Sequence, residues 1–275
     1  MNTDSKKLIP AVAAAAGIIC GIVRFFQVIS LTDYNTGFFL SGAEFGGALI
    51  YILLAVSGIA LTLLLFMGHN KGRDAAYSVA SDGMGDNATR FLGMSEMLAA
   101  LLFALCVFEE NAGICRVSGV IAAVLMLVSG CTLVGRIIPP AYTGYIKLAA
   151  AVHIYLRLGF LFDSDIIIAR HPEKLIVLLA YVFGTTFVTA LGRFYARLET
   201  TKTRRLETVT ASLTFVISMT HVISFALTKL FGGAEAAGFV TFNPDVCAFA
   251  VMSGTFLAVL FFTSKKKDIT PIVLE

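Results

Sequence analysis

The sequence predicts an all-α fold: a polytopic integral membrane helix bundle of about eight transmembrane helices with both termini cytoplasmic. Three observations carry this reading. Hydrophobic residues make up 57% of the chain and charged residues 14%, with a mean hydropathy of +0.85. Soluble domains average about 45–50% apolar and about 25% charged. The apolar residues are gathered into runs, several of which reach the ~18 residues needed for a membrane-spanning helix. The basic residues between those runs fall overwhelmingly on one side.

The first run, 8–29, follows Lys6 and Lys7. It is too long for the ~7–15-residue apolar core of a secretory signal and lacks a small-residue cleavage site at its end, so it reads as an uncleaved span. Gly17 and Gly21 form a GxxxG pair, a close-packing surface for another helix. Arg24 continues that face one turn on, about two-thirds to three-quarters of the way outward at 1.5 Å per residue. Gln27 follows, then a polar exit through Asp33, Asn35, Thr36 and Gly37. Runs 46–67, 91–108 and 117–138 come next. The third contains Glu96, placed about a turn inside the cytoplasmic face and too shallow to pair easily with Arg24.

Run 146–162 is the least apolar, because it contains His153 and Arg157. Residues four apart share a helix face, so these two point the same way. Run 174–192 offers Thr185, Thr186 and Thr189. Run 208–230 carries Thr214, Ser218, His221, Ser224 and Thr228 as one polar stripe at helical spacing. Run 246–263 offers Ser253 and Thr255. A polar stripe inside a membrane turns toward other helices, or its hydroxyls bond back to the helix carbonyls.

With eight spans, one side holds Lys6, Lys7, Lys71, Arg73, Arg90, Arg136, Lys147, a cluster at 193–205 and Lys265 to Lys267. The other side holds only Arg116, Arg170 and Lys174 among basic residues. It also holds Asp33, Glu44, Glu109, Glu110, Asp163, Asp165, Glu173, Glu235 and Asp245. The positive-inside rule then sets both termini in the cytoplasm. Omitting the fifth span would throw the later loops onto the wrong sides. The connections are short, and the longest, 68–90, has room for a short helix near Asp74–Ala80. The whole chain, 1–275, therefore reads as a single transmembrane domain. The run Ile22 to Gln27 with Asp33 beyond, and the run Tyr155 to Phe160 with Asp163 beyond, also suggest parallel half-repeats, 1–140 and 141–275.

Ionisable groups inside spans are costly and face a bundle interior or cavity. Arg24 and Arg157 have two ways of being satisfied. They pair with interfacial acids such as Asp33, Asp163, Glu109 or Glu110, or they line an outward cavity and hold a carboxylate or phosphate. The functional expectation is a transporter, or the membrane subunit of one, binding a small anionic solute through Arg24, Gln27, His153, Arg157 and His221. The alternative is a non-transporting sensor or assembly component, docking a partner subunit or anionic lipid through the basic segment 193–205.

The expected setting is the lipid bilayer of a bacterial cytoplasmic membrane. No enzymatic activity is expected, since HExxH, GxSxG and P-loop patterns are absent. No cofactor or metal site is expected, and no basic-aromatic stripe suggests nucleic acid. Of the five cysteines, Cys20, Cys106 and Cys131 lie in apolar runs as small buried hydrophobes. Cys115 and Cys247 fall at loop edges on one side, where a bridge is sterically open.

Overall fold

The computed structural model describes residues 3–67, 86–105, 113–135, 140–165, 172–196 and 201–263. Among them the chain is almost entirely helical, with no strand beyond one isolated Thr32–Phe39 bridge. The long helices are α1 (Thr3–Leu31), α2 (Glu44–Met67), α3 (Asp86–Ala104), α4 (Gly113–Gly135), α5 (Pro140–Asp165), α6 (Pro172–Tyr195), α7 (Thr201–Phe231) and α9 (Pro244–Thr263). A short α8 (Gly233–Phe239) lies between α7 and α9. Seven helices are long and apolar enough to cross a membrane. The protein is a multi-pass membrane helix bundle.

The helix outside that seven is α3, with 19 residues including Asp86, Arg90 and Glu96. It is nonetheless packed between α4 and α9. Its internal charge is matched by a lysine of α5, described below. The expected short helix near 74–80 lies outside the described residues.

Pro140, Pro172 and Pro244 each open a helix. Proline suits the first helical position, where its missing N–H would have no intrahelical partner and its φ is already helical. These prolines set α5 and α6 to begin earlier than the apolar runs alone suggest.

Helix α9 is central, in contact with α1, α3, α6 and α7. Around it the neighbours run α3, α4, α5, α6, α7, with α1 against α7 and α2 outside α1. Helix α2 is the peripheral member: Phe45 is 81% exposed and Ile59 61%. Such a face suits an apolar surrounding such as lipid tails, since exposed apolar patches of this extent are rare on water-soluble monomers.

Membrane helices gain no hydrophobic drive toward one another, so close backbone approach at small residues supplies the packing. The Gly17/Gly21 face of α1 lies directly on α7. A Cβ at Gly21 would stand 2.6 Å from Ile223 Cβ, and one at Gly17 3.0 Å from Met219 Cβ. Gly93 and Gly130 bring α3 onto α4 in the same way, and Gly144 and Gly192 bring α5 onto α6. By contrast, Gly159 of α5 has open space. Gly21→Ala is therefore expected to lower stability by about 1–3 kcal/mol, the usual cost of overpacking. Gly159→Ala should leave it unchanged or raise it by about 0.5–1 kcal/mol through helix propensity. Thermal unfolding in detergent reads both, and equal effects would refute the close α1–α7 contact.

The α1–α2 connection folds on itself. Asp33 N–H donates to the Phe38 carbonyl at 2.9 Å and Leu40 N–H to the Leu31 carbonyl at 2.8 Å. Gly37 takes φ +73° inside this turn, where a side chain would be strained. The Asp33 carboxylate accepts from Asn35 N–H at 3.0 Å and the Thr36 hydroxyl at 2.9 Å. Those bonds hold its carboxyl below the usual carboxylate range.

Candidate functional site

Three buried carboxylates organise the polar interior. The first is Glu173, the second residue of α6. Arg24 of α1 donates from Nη2 to Glu173 Oε2 at 3.1 Å, and His221 Nδ1 of α7 stands 3.1 Å from Oε1. Arg24 is only 1% exposed and packs its guanidinium over the Phe39 ring at 5.9 Å. Its Nη1 reaches the Gln27 side-chain oxygen Oε1 at 3.4 Å, and the Gln27 side-chain amide donates from Nε2 to the Gly46 carbonyl at 2.6 Å. One cluster thus ties α1, α2, α6 and α7 together near their outer ends, taking the side that holds Lys6 as inner. Asp33 is spent on its own turn and does not serve Arg24. Glu109 and Glu110 lie outside the described residues.

The second hub is Asp245, the second residue of α9. Arg157 Nε lies 3.3 Å from Asp245 Oδ2, and the Tyr181 hydroxyl donates to the same oxygen. His153 Nε2 stands 3.9 Å from it, while His153 Nδ1 meets the Ser118 hydroxyl at 2.9 Å. Asp245 is fully buried although it opens its helix. The chain at 240–243 carries the start of α9 down into the bundle, where Phe249 packs edge-on against Tyr181 at 5.5 Å.

The third hub is Glu96. Lys147 Nζ of α5 lies 3.1 Å from Glu96 Oε1 and donates to Ser129 Oγ at 2.8 Å. The Ser129 hydroxyl donates to Glu96 Oε2 at 2.6 Å, closing a triangle over three helices. The ammonium also sits 4.1 Å from the centre of the Tyr195 ring, within cation–π range. Lys147 is not at the membrane surface, as its place at the edge of a run suggests, but wholly buried. Its depth is set by the start of α5 at Pro140.

The sequence-predicted ligand residues therefore divide. Arg24, Gln27 and His221 meet at Glu173. His153 and Arg157 meet at Asp245. The two arginines do not converge on one cavity, and each already faces a carboxylate. Arg24 Nε has no hydrogen-bond partner among the described residues.

Glu173 and Asp245 escaped the sequence reading by one residue each, because apolarity alone starts the spans at 174 and 246. The available signal was the pair of dipeptides Pro172-Glu173 and Pro244-Asp245. A proline at the first helical position followed by an acid marks a helix N-terminus, where the helix dipole favours negative charge.

Most hydroxyls in the bundle bond back to a carbonyl of their own helix. Thr185, Thr220, Ser253 and Thr255 do so to the residue four earlier. Thr214, Ser218, Ser224 and Thr228 are buried and do not, and none has a partner among the described residues.

Cys115 and Cys247 form no disulfide. Among the described residues no group of three potential ligands is placed for a metal ion. At the outer end a pocket of about 550 Å³ opens between the α1–α2 turn and α8, lined by Asp33, Asn35, Glu235 and Phe239 among others. Comparison of the chain with protein-family models, curated proteins and solved structures finds no match.

Proposed function

We propose that this chain is a transporter, or the membrane subunit of one, for a small solute bearing a carboxylate or phosphate. Its setting is the cytoplasmic membrane of a bacterium. The observation that supports this is the Arg24–Glu173–His221 cluster, a buried arginine held by a single hydrogen-bonded carboxylate with Nε still open. Catalysis is not part of the proposal.

The exchange is simple in electrostatic terms. An anionic group arriving beside Arg24 competes with Glu173 for the guanidinium. Arginine presents a planar fork of donors, so a carboxylate or phosphate gains two parallel bonds where Glu173 now holds one. The cost is the displaced Glu173, which loses its cation inside the bundle. Binding is therefore weak in the wild type and limited by that carboxylate.

The expected result follows directly. Glu173→Gln keeps the shape and removes the competing charge, so it should tighten anion binding. The gain should be about 1.5–3 kcal/mol, the worth of a charged hydrogen bond, or roughly 10–150-fold in affinity. Arg24→Ala should abolish binding. Thermal stabilisation of the purified protein by a panel of small carboxylates and phosphates reads this. Stabilisation that is indifferent to both substitutions would remove Arg24 and Glu173 from the site.

A further inference from the structure

Helix α7 places a second line of chemistry beside this cluster. Glu207, Thr210, Thr214, Ser218, His221, Ser224 and Thr228 are all buried. They recur at helical spacing on the side of α7 turned away from α1, whose glycines rest on Met219 and Ile223. From Glu207 to Thr228 the stripe covers about 30 Å at 1.5 Å per residue, the thickness of a bilayer core.

Thr210 bonds back to the Glu207 carbonyl at 3.0 Å, as ordinary helix hydroxyls do, but two facts set the stretch from Thr214 to Thr228 apart. Thr214, Ser218, Ser224 and Thr228, with His221 Nε2, have no hydrogen-bond partner among the described residues. Thr220, on the flank of the same helix beside Cys20 of α1, donates to the Val216 carbonyl at 2.7 Å. A buried polar group without a partner costs about 1–3 kcal/mol, so four in one line signal something that hydrogen-bonds there. Hydroxyls four residues apart are separated by about 6 Å along the axis. That distance is two hydrogen bonds of about 2.8 Å, the span of one bridging water.

We infer that the inner face of α7 is a proton path running from Thr228 to Glu207, with the His221–Glu173 pair as its exchange point. Each hydroxyl accepts one proton and releases another, so the path moves a proton without altering any group on it. The charged and titratable groups near His221 are Arg24 of α1 and Glu173 of α6. Tyr51 of α2 lies within electrostatic reach of both. On α9, Asp245 is engaged by Arg157 and Tyr181. On α7 itself, Glu207 lies inward and Lys229 donates to the Ala237 carbonyl at the outer end.

This inference rests on the solute reading in one respect: the path carries protons with or without solute, and Glu173, when an anion displaces it from Arg24, holds one of them. Anion and proton would then move together, and the site would stay neutral.

The test uses the full chain in liposomes that enclose a pH-sensitive dye, with a potassium diffusion potential and no added solute. Wild type should move protons faster than protein-free liposomes. Ser218→Ala, Thr228→Val and His221→Gln should fall to the protein-free rate, each checked for folding by gel filtration and helical circular dichroism. Thr220→Val should match wild type. Wild-type flux equal to that of empty liposomes would overturn the path, as would loss of flux in Thr220→Val equal to that in the stripe variants. Persistence of Arg24-dependent anion stabilisation without proton flux would overturn the path and leave the solute reading standing. Flux without any anion effect would do the reverse.

Discussion

Lys147→Met is expected to destabilise the protein by about 3–5 kcal/mol, the cost of leaving a buried charge without its partner. The charge left behind is Glu96, 2% exposed and otherwise bonded only to Ser129 among the described residues. Glu96→Leu should cost a similar amount by stranding the lysine, although the Tyr195 ring at 4.1 Å recovers a little of that through cation–π attraction. The informative variant is the pair. A buried ion pair replaced by apolar groups of similar volume is often neutral or stabilising. Glu96→Leu combined with Lys147→Met should therefore recover most of what each single change loses. Unfolding midpoints of all four proteins in one detergent form the double-mutant cycle. Additive losses would show that the two side chains do not act as a pair.

Asp245→Asn should cost about 3 kcal/mol, near the lower end of the same range. The asparagine still accepts from the Tyr181 hydroxyl, but Arg157 loses the carboxylate at 3.3 Å. The loss is moderated because the Arg157 side chain is 13% exposed and keeps some access to solvent. Tyr181→Phe removes the hydrogen bond to the carboxylate and the oxygen that Arg157 Nε meets at 3.4 Å, and should cost about 1.5–3 kcal/mol. An Asp245→Asn protein as stable as wild type would mean that the hub bears no weight in the fold.

The architecture was legible because lipid is an unforgiving solvent for the chain. A helix must satisfy its own backbone in hydrocarbon, so apolar runs of sufficient length translate directly into helices. Each of the eight predicted runs overlaps one of the eight long helices of the described chain, with starts up to seven residues late, and seven of those helices are long and apolar enough to cross a membrane. The small-residue face at Gly17 and Gly21 was legible for the same reason, since only close packing gives such a face a use.

The polar interior was less legible, because it depends on which helices become neighbours. Nothing in the order of residues brings Arg24 to Glu173, almost 150 positions later. Lys147 and Glu173 were read as surface charges because hydropathy places span ends only to within a turn. One turn decides whether a charge meets water or protein. Helix α8 was missed because seven residues, Gly233–Phe239, give too little periodicity to recognise. The fate of each hydroxyl was also out of reach. Bonding back to a carbonyl is a choice of side-chain rotamer, and Thr220 and Ser218 look alike in sequence.

The glycine contacts and the ionic links fall on different seams. Backbone proximity joins α1 to α7, α3 to α4 and α5 to α6. The carboxylate–cation links run across those couples: Arg24 to Glu173, Lys147 to Glu96, Arg157 to Asp245. Every one of the three has an end on α5 or α6. The α5–α6 couple is thus a keystone: sliding it as one block would open all three polar seams and the Gly184–Phe249 contact with α9, while leaving these three glycine seams closed.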